Sequence, residues 1–360
     1  MGLNTKVLAA AAALILLALA AAFLAFRGGG QDEIVIQGGG STFAAPQVYE
    51  WARGFSSKYP EIKVNYASVG SGSGVAQFLE GTLDFASSDP PLDKSQWSKL
   101  EGEVLQMPVL LGAVSIVYNL PGLNEELRLN GETLALIYLG EISYWNDERI
   151  ARLNPDIDLP EEQIIVVYRS DSSGTTQVFT YYLYKSSGGL WPESLVGKTI
   201  DWPVAKTGRG IGGKGNEGVT QVVKNTPYSI GYVELSYALE NQLPMALLEN
   251  REGNFVKPAE ETIASAALNA LKELPDNPLD DWSPALDSII YTEGENSYPL
   301  TSFTFFIFRT KYSDEKIEAI KLWIEYINTE GQDRMIPGYI PIPKEIASIN
   351  LKALEIISRG

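Results

Sequence analysis

Along most of the chain, short β-branched or aromatic runs alternate with apolar residues at helical spacing. Ile34 to Gln37 predicts a first strand. Gly38-Gly39-Gly40-Ser41-Thr42-Phe43 follows, then a helix from about Pro46, marked by Tyr49, Trp51, Ala52 and Phe55. Lys63 to Ser68 predicts a second strand, and Gly70-Ser71-Gly72-Ser73-Gly74 opens a helix through Val75, Phe78 and Leu79. A third strand, Leu83 to Ala86, ends in Ser87-Ser88-Asp89-Pro90-Pro91. Each of these strands runs into a loop rich in Gly, Ser or Asp. Repeated strand–loop–helix units predict an α/β fold with a mixed, mostly parallel sheet flanked by helices, and such sheets bind ligands at the strands' carboxyl ends.

The pattern continues with a strand from Val114 to Tyr118, ending in Asn119-Leu120-Pro121-Gly122 as a crossing between lobes. Thr133 to Leu139 predicts a helix, and Trp145 to Asp158 a surface helix and loop. Ile164 to Val167 predicts a buried strand that runs through Arg169 into a Ser/Gly turn, Ser170 to Gly174, and a helix with apolar marks from Val178 to Tyr184. A glycine-rich loop, Gly208 to Gly218, leads to a helix carrying Val219, Val222 and Val223, and a strand from Ile230 to Val233 ends in Glu234. Residues 250–295 are acidic and loop-rich, with a helical piece around Ala264 to Leu271. Ser302 to Phe308 predicts a strand. Ser313 is placed to cap a helix through Ile317, Ile320, Trp323, Ile324 and Ile327, and a last helix is predicted over Ile342 to Ser358.

Before all of this, Val7 to Phe26 is an unbroken apolar run of 20 residues between Lys6 and Arg27, the length of a bilayer core. It predicts one N-terminal hydrophobic helix, either a secretory signal with Ala20-Ala21-Ala22 at its cleavage site or a retained membrane anchor. Either places the remainder outside the cytoplasm. At 360 residues the chain has room for two lobes beyond that segment.

Composition then removes whole classes of chemistry. There is no cysteine and no histidine. Disulfides, thiolate or imidazole metal sites, cysteine nucleophiles and Ser-His-Asp triads are all excluded. No cofactor and no metal is expected. A formal charge of −17 argues against nucleic acid as a partner, but a small anion remains open, because local donors outweigh a distant, screened net charge.

The loops carry what chemistry is left. Gly38 to Phe43 offers backbone N–H groups and two hydroxyls at a helix start, and Ser71 sits in a similar loop. Gly208 to Lys214 has the spacing G-x-x-x-x-G-K, but Gly215 stands where a nucleotide loop needs Ser or Thr. Arg169 followed by Ser173, Gly174 and Thr175 at a helix N-terminus has the parts of an oxyanion site, and Asp171 is placed to hold the guanidinium fork. Asp89 repels a fully ionised anion yet can accept a hydrogen bond from one that keeps a proton, as monohydrogen phosphate does and sulfate does not.

Several long motifs, in order, resemble those of the extracytoplasmic phosphate-binding proteins of phosphate-specific ABC transporters. They are GGGSTFAAPQVYEWA, NYASVGSGSGVAQFLEGTLDFASSDPPL, YLGEISYWNDERIARLNP, YRSDSSGTTQVFTYYL and GGKGNEGVTQVVKNTPYSIGYVELSYA. The resemblance spans nearly everything after residue 33 and implies a two-lobed periplasmic-binding-protein type II architecture. Residues 31–115 plus 245–360 would form lobe I and residues 116–244 lobe II, after an N-terminal segment over residues 1–30. It implies phosphate ligands at Thr42, Phe43, Ser71, Asp89, Arg169, Ser173, Gly174 and Thr175, with Ser41 and Asp171 in support. It also implies a monomer that hands phosphate to permease subunits and catalyses nothing. Two departures stand out. Ser172 occupies a loop position where glycine is expected, and no lipid-bearing cysteine precedes the domain. The competing expectations are a binder of sulfate, molybdate or tungstate, which Asp89 disfavours, and an extracytoplasmic phosphohydrolase, for which no close Asp/Glu cluster is in view.

Overall fold

A computed structural model describes residues 33–271 and 274–360. The N-terminal apolar run lies outside the described residues. The main strands are β1 (Ile34–Gly40), β2 (Ile62–Ser68), β3 (Phe85–Ser88), β4 (Val104–Asn119), β5 (Ile165–Arg169), β6 (Gly210–Gly213), β7 (Ser229–Glu234) and β8 (Thr301–Arg309). The helices that matter for the site are α1 (Ala45–Lys58), α2 (Ser71–Leu79), α3 (Gly131–Leu139), α4 (Gly174–Ser186), α5 (Gly215–Asn225) and α6 (Asp314–Asn328). The eight strands form one mixed sheet in the order β2-β1-β3-β8-β4-β7-β5-β6. β1 pairs in parallel with β2 and β3, and β5 in parallel with β6 and β7. β8 and β4 run antiparallel between these two halves.

β4 is what joins the halves. It is paired with β8 up to Ala113 and with β7 from Val114 onward. Sequence pattern predicts only its second half, because Pro108 interrupts the first. Proline has no N–H to give a ladder, and the register shifts there: Thr304 lies opposite Leu110 and Phe305 opposite Pro108, leaving Val109 as an extra residue.

Three other expectations change. β1 continues through the three glycines instead of ending at Gln37. It is flanked by a strand on each side, and α2 packs so closely that a Cβ on Gly74 would collide with the Gly40 backbone. Part of the Gly208–Gly218 loop is the edge strand β6, held by backbone pairing to β5. The last predicted helix is two short ones, Lys344–Leu351 and Ala353–Ile356. Ser313 holds the N-cap position of α6 without a side-chain cap bond.

The apolar faces of strands and helices meet where the periodicity says they should. In the first half of the sheet Phe85 stacks on Phe308 with ring centroids 5.3 Å apart, and Trp323 of α6 lies 5.2 Å from Phe55 of α1. In the second half Phe179 of α4 stacks on Tyr232 of β7 at 4.5 Å. These cores fix the strand ends, and the loops after β1, β3 and β5 come together between the halves.

Candidate anion-binding site

The loop after β1 is held by three tyrosines. Tyr66, Tyr237 and Tyr339 donate their hydroxyls to the carbonyls of Ser41, Thr42 and Phe43, at 2.8, 2.7 and 2.6 Å. Burial pushes all three phenols above their ordinary range, so they stay neutral donors. With three successive carbonyls bound on one side, the Thr42 and Phe43 N–H groups have no protein acceptor among the described residues. The Phe43 ring is buried against Gly112, where a Cβ would come within 2.7 Å of it.

Asp89 follows β3 and is 1% exposed. Its Oδ1 accepts from Thr304 at 3.1 Å and from the Ser41 hydroxyl. Its Oδ2 meets only the Ser71 hydroxyl, loosely, at 3.4 Å. One oxygen is thus committed to the protein and the other faces the cleft. Burial pushes this carboxyl up to about 6, opposed by the Ser41 and Thr304 hydroxyls and by the charges of Arg169 and Lys198. Lys198 reaches Ser88 Oγ at 3.3 Å, and burial lowers its ammonium to about 8 against the pull of Asp89 and Asp93.

Arg169 ends β5 and is buried. Asp171 grips its fork at 2.8 Å on Nε and 2.6 Å on Nη2, a bidentate pair. Burial works against the Asp171 charge, but Arg169 and the Gly215 N–H outweigh it and leave the carboxyl below its usual value. The remaining Nη1 reaches Thr175 Oγ1 at 3.3 Å. Tyr232 supports this strand end by accepting from the Arg169 N–H at 3.1 Å.

Ser173 caps α4, accepting the Thr176 N–H at 3.0 Å. No acidic side chain lies in that first turn, so the positive end of the helix dipole is open to an anion. Gly174 lies against the opposite wall. A methyl built there would sit within 2.8 Å of Ser71 Oγ, Asp89 Oδ2 and Pro90 Cδ. Ser172, the departure from the expected glycine, is a contact across the cleft: its carbonyl accepts the Gly72 N–H at 3.2 Å.

All ten residues singled out in the sequence therefore lie in one connected cluster. Among the partners that sequence reasoning missed are Thr304, Asn216, Lys198 and Tyr237. Thr304 had a signal, as a hydroxyl in a strand of phenylalanines. Asn216 follows the glycines before α5, and its side chain donates to Thr42 Oγ1 at 2.9 Å and Thr175 Oγ1 at 3.4 Å. Lys198 and Tyr237 had none. Chemically the cluster offers hydroxyl and N–H donors, one guanidinium and one free carboxylate oxygen, a set that suits an oxyanion carrying a proton.

This fold and cleft define a solute-binding protein of the PBP superfamily, whose domain model matches residues 28–330. Within it, the chain belongs to the PstS family of phosphate-binding proteins. It is 43% identical over 332 residues to the phosphate-binding protein PstS of Methanocaldococcus jannaschii, covering 88% of this chain and 85% of the relative. It is 39% identical over 318 residues to PstS of Pasteurella multocida, covering 86% of each. Among solved structures it resembles a high-affinity periplasmic phosphate-binding protein bound with phosphate, at TM-score 0.70 and 21% identity over 88% of this chain and 92% of that one. An ABC-type phosphate transport receptor from Vibrio cholerae matches at TM-score 0.53 and 19% identity, over 86% of this chain and all of that one. At those identities the structural likeness is one of fold.

Proposed function

We propose that this protein binds inorganic phosphate outside the cytoplasm and delivers it to the permease subunits of an ABC importer. The observation that carries the reading is the asymmetry of Asp89: Oδ1 is taken by Ser41 and Thr304, while Oδ2 is left toward the donors of the opposite wall. Phosphate oxygens bind the hydroxyls of Thr42, Ser71, Ser173 and Thr175, the N–H groups of Phe43 and Gly174, and Arg169. The phosphate proton goes to Asp89. Ser41 and Asp171 hold Asp89 and Arg169 in place. The names and identities of the relatives support the ligand.

On this reading the lobes are residues 31–115 with 245–360, and residues 116–244. The change of β4's partner from β8 to β7 at Val114 supports that division. The protein acts as a monomer and without turnover, and residues 1–30 direct or anchor it outside the cytoplasm. Among the described residues no helix is long and apolar enough to cross a membrane. The test is a calorimetric titration of anion-stripped protein with phosphate and then sulfate, molybdate and tungstate. One-to-one phosphate binding with little response to the others is expected. Folded, anion-free protein that ignores phosphate overturns the proposal. Phosphate release from a chromogenic ester with added divalent metals would overturn its non-catalytic part.

A further inference from the structure

A hydroxyl is both donor and acceptor, so a Thr at an anion site is useful only if something fixes its proton toward the ligand. Thr42 and Thr175 share one candidate for that work. Asn216 is fully buried in the first turn of α5. Its Oδ1 accepts the Glu234 N–H at 2.9 Å. A backbone N–H can only donate, so that contact fixes which way the amide faces and sends the NH2 group the other way. The NH2 reaches Thr42 Oγ1 at 2.9 Å and Thr175 Oγ1 at 3.4 Å, and the Asn216 backbone N–H reaches Thr42 Oγ1 at 3.2 Å.

Thr42 Oγ1 thus receives two donors, and Thr175 Oγ1 receives Asn216 and Arg169. Both oxygens have their lone pairs engaged, and neither hydroxyl donates to another protein group among the described residues. Their protons are left for the cleft. The contact also crosses between the halves of the sheet: Thr42 follows β1, while Asn216 and Thr175 lie beyond β6 and β5. The turn that delivers Asn216 also anchors Asp171, through the Gly215 N–H at 3.0 Å. Gly215 has φ +70°, a conformation that favours glycine.

We propose that Asn216 is a positioning residue that fixes the Thr42 and Thr175 hydroxyls as donors to the anion and links the two walls of the closed cleft. This rests on the phosphate reading above.

The test is a double-mutant cycle on affinity for inorganic phosphate, measured by calorimetry on the anion-stripped protein. Asn216→Ala should weaken phosphate binding roughly tenfold to fiftyfold. In the background of Thr42→Val with Thr175→Val, which has no hydroxyl to orient, the same change should cost only about a fifth of that factor or less. A merely structural asparagine would cost the same factor in both backgrounds. Asn216→Ser is run in parallel in case the alanine variant does not fold; its shorter side chain gives up both contacts. Equal losses in the two backgrounds, or unchanged affinity in a folded variant, overturn the proposal while leaving the phosphate reading intact. Wild-type protein that does not bind phosphate removes both, and that arm is run first.

Discussion

Asp89→Asn separates two things the carboxylate does. On the proposed reading Oδ2 accepts the hydrogen of a P–O–H group. A hydrogen bond to an ionised acceptor contributes about 1.5–3 kcal/mol. Sulfate brings no proton, so it forfeits roughly tenfold to hundredfold in affinity from that bond alone. Asparagine keeps the shape and changes the polarity. Its carbonyl stays where Ser41 and Thr304 donate, which turns its NH2 toward the cleft, a donor in place of an acceptor. Phosphate should bind more weakly, sulfate more tightly, and the ratio of affinities should fall by at least about tenfold. Paired calorimetric titrations read it directly. The ligand-free protein supplies a second readout. Burial raises this group from 3.8 to about 6. Between those values the folded state holds a proton that the unfolded chain has released. The associated stability is complete below the lower value and is lost as pH rises through the upper one. Removing the charge should therefore stabilise empty protein at pH 8 by up to about 3 kcal/mol, with little effect at pH 4. Thermal melts at the two pH values measure this. An unchanged phosphate-to-sulfate ratio in a variant that shows the stability gain would refute Asp89 as the acceptor of the ligand's proton.

Three further substitutions probe the rest of the cleft. Arg169→Ala should weaken phosphate binding by about 2–5 kcal/mol, since it removes the cleft's guanidinium and leaves Asp171 facing the anion; less than a tenfold loss by calorimetry counts against the assignment. Gly174→Ala puts a methyl within 2.8 Å of Ser71, Asp89 and Pro90. It should cost roughly tenfold to hundredfold in affinity, and binding at wild-type strength would show that the walls do not meet as described. Glu234 is buried beside the site, and burial lifts its carboxyl from 4.5 to about 8 against two bonds from Ser236. Its stability contribution is complete below the lower value and is lost through the upper one. Glu234→Gln should therefore match wild type in melting temperature below about pH 4 and exceed it at pH 9, whereas curves that stay parallel across pH would remove the argument from burial.

How much of this could be read in the sequence depended on whether the signal was local. The loops after β1, β3 and β5 were legible, because glycines, hydroxyls and a helix start leave their mark within a dozen residues. Arg169 and Asp171 were legible for the same reason, two positions apart. The strand that carries Thr304 was legible but its contact with Asp89 was not, because what brings them together is strand pairing between β8 and β3 and a register shift opposite Pro108. Pro108 also hid the first half of β4, since a proline inside a strand pattern reads as a break. The glycines of β6 read as loop because edge pairing, which sequence does not display, is what makes them a strand. Asn216, Lys198 and the three tyrosines on the β1 loop act on residues 25 to 296 positions away. No local pattern carries information over that distance.

On the proposed reading, the cleft also explains how so acidic a chain can hold an anion. The Arg169 charge is already matched by Asp171, and Lys198 lies beside Asp89 with its ammonium held near 8. Little unbalanced positive charge is left to attract a ligand. What remains is a set of oriented dipoles: the open N-terminus of α4, the N–H groups turned inward by three tyrosines, and hydroxyls whose lone pairs are already filled. Dipoles fixed in advance cost no reorganisation when the anion enters, and among buried residues they act at low dielectric. They also require each wall to be built by the fold and not by the ligand. That is why so many of the bonds around the cleft run between side chains and backbone groups distant in sequence, and why a neutral asparagine bridging two hydroxyls matters to an anion it does not touch.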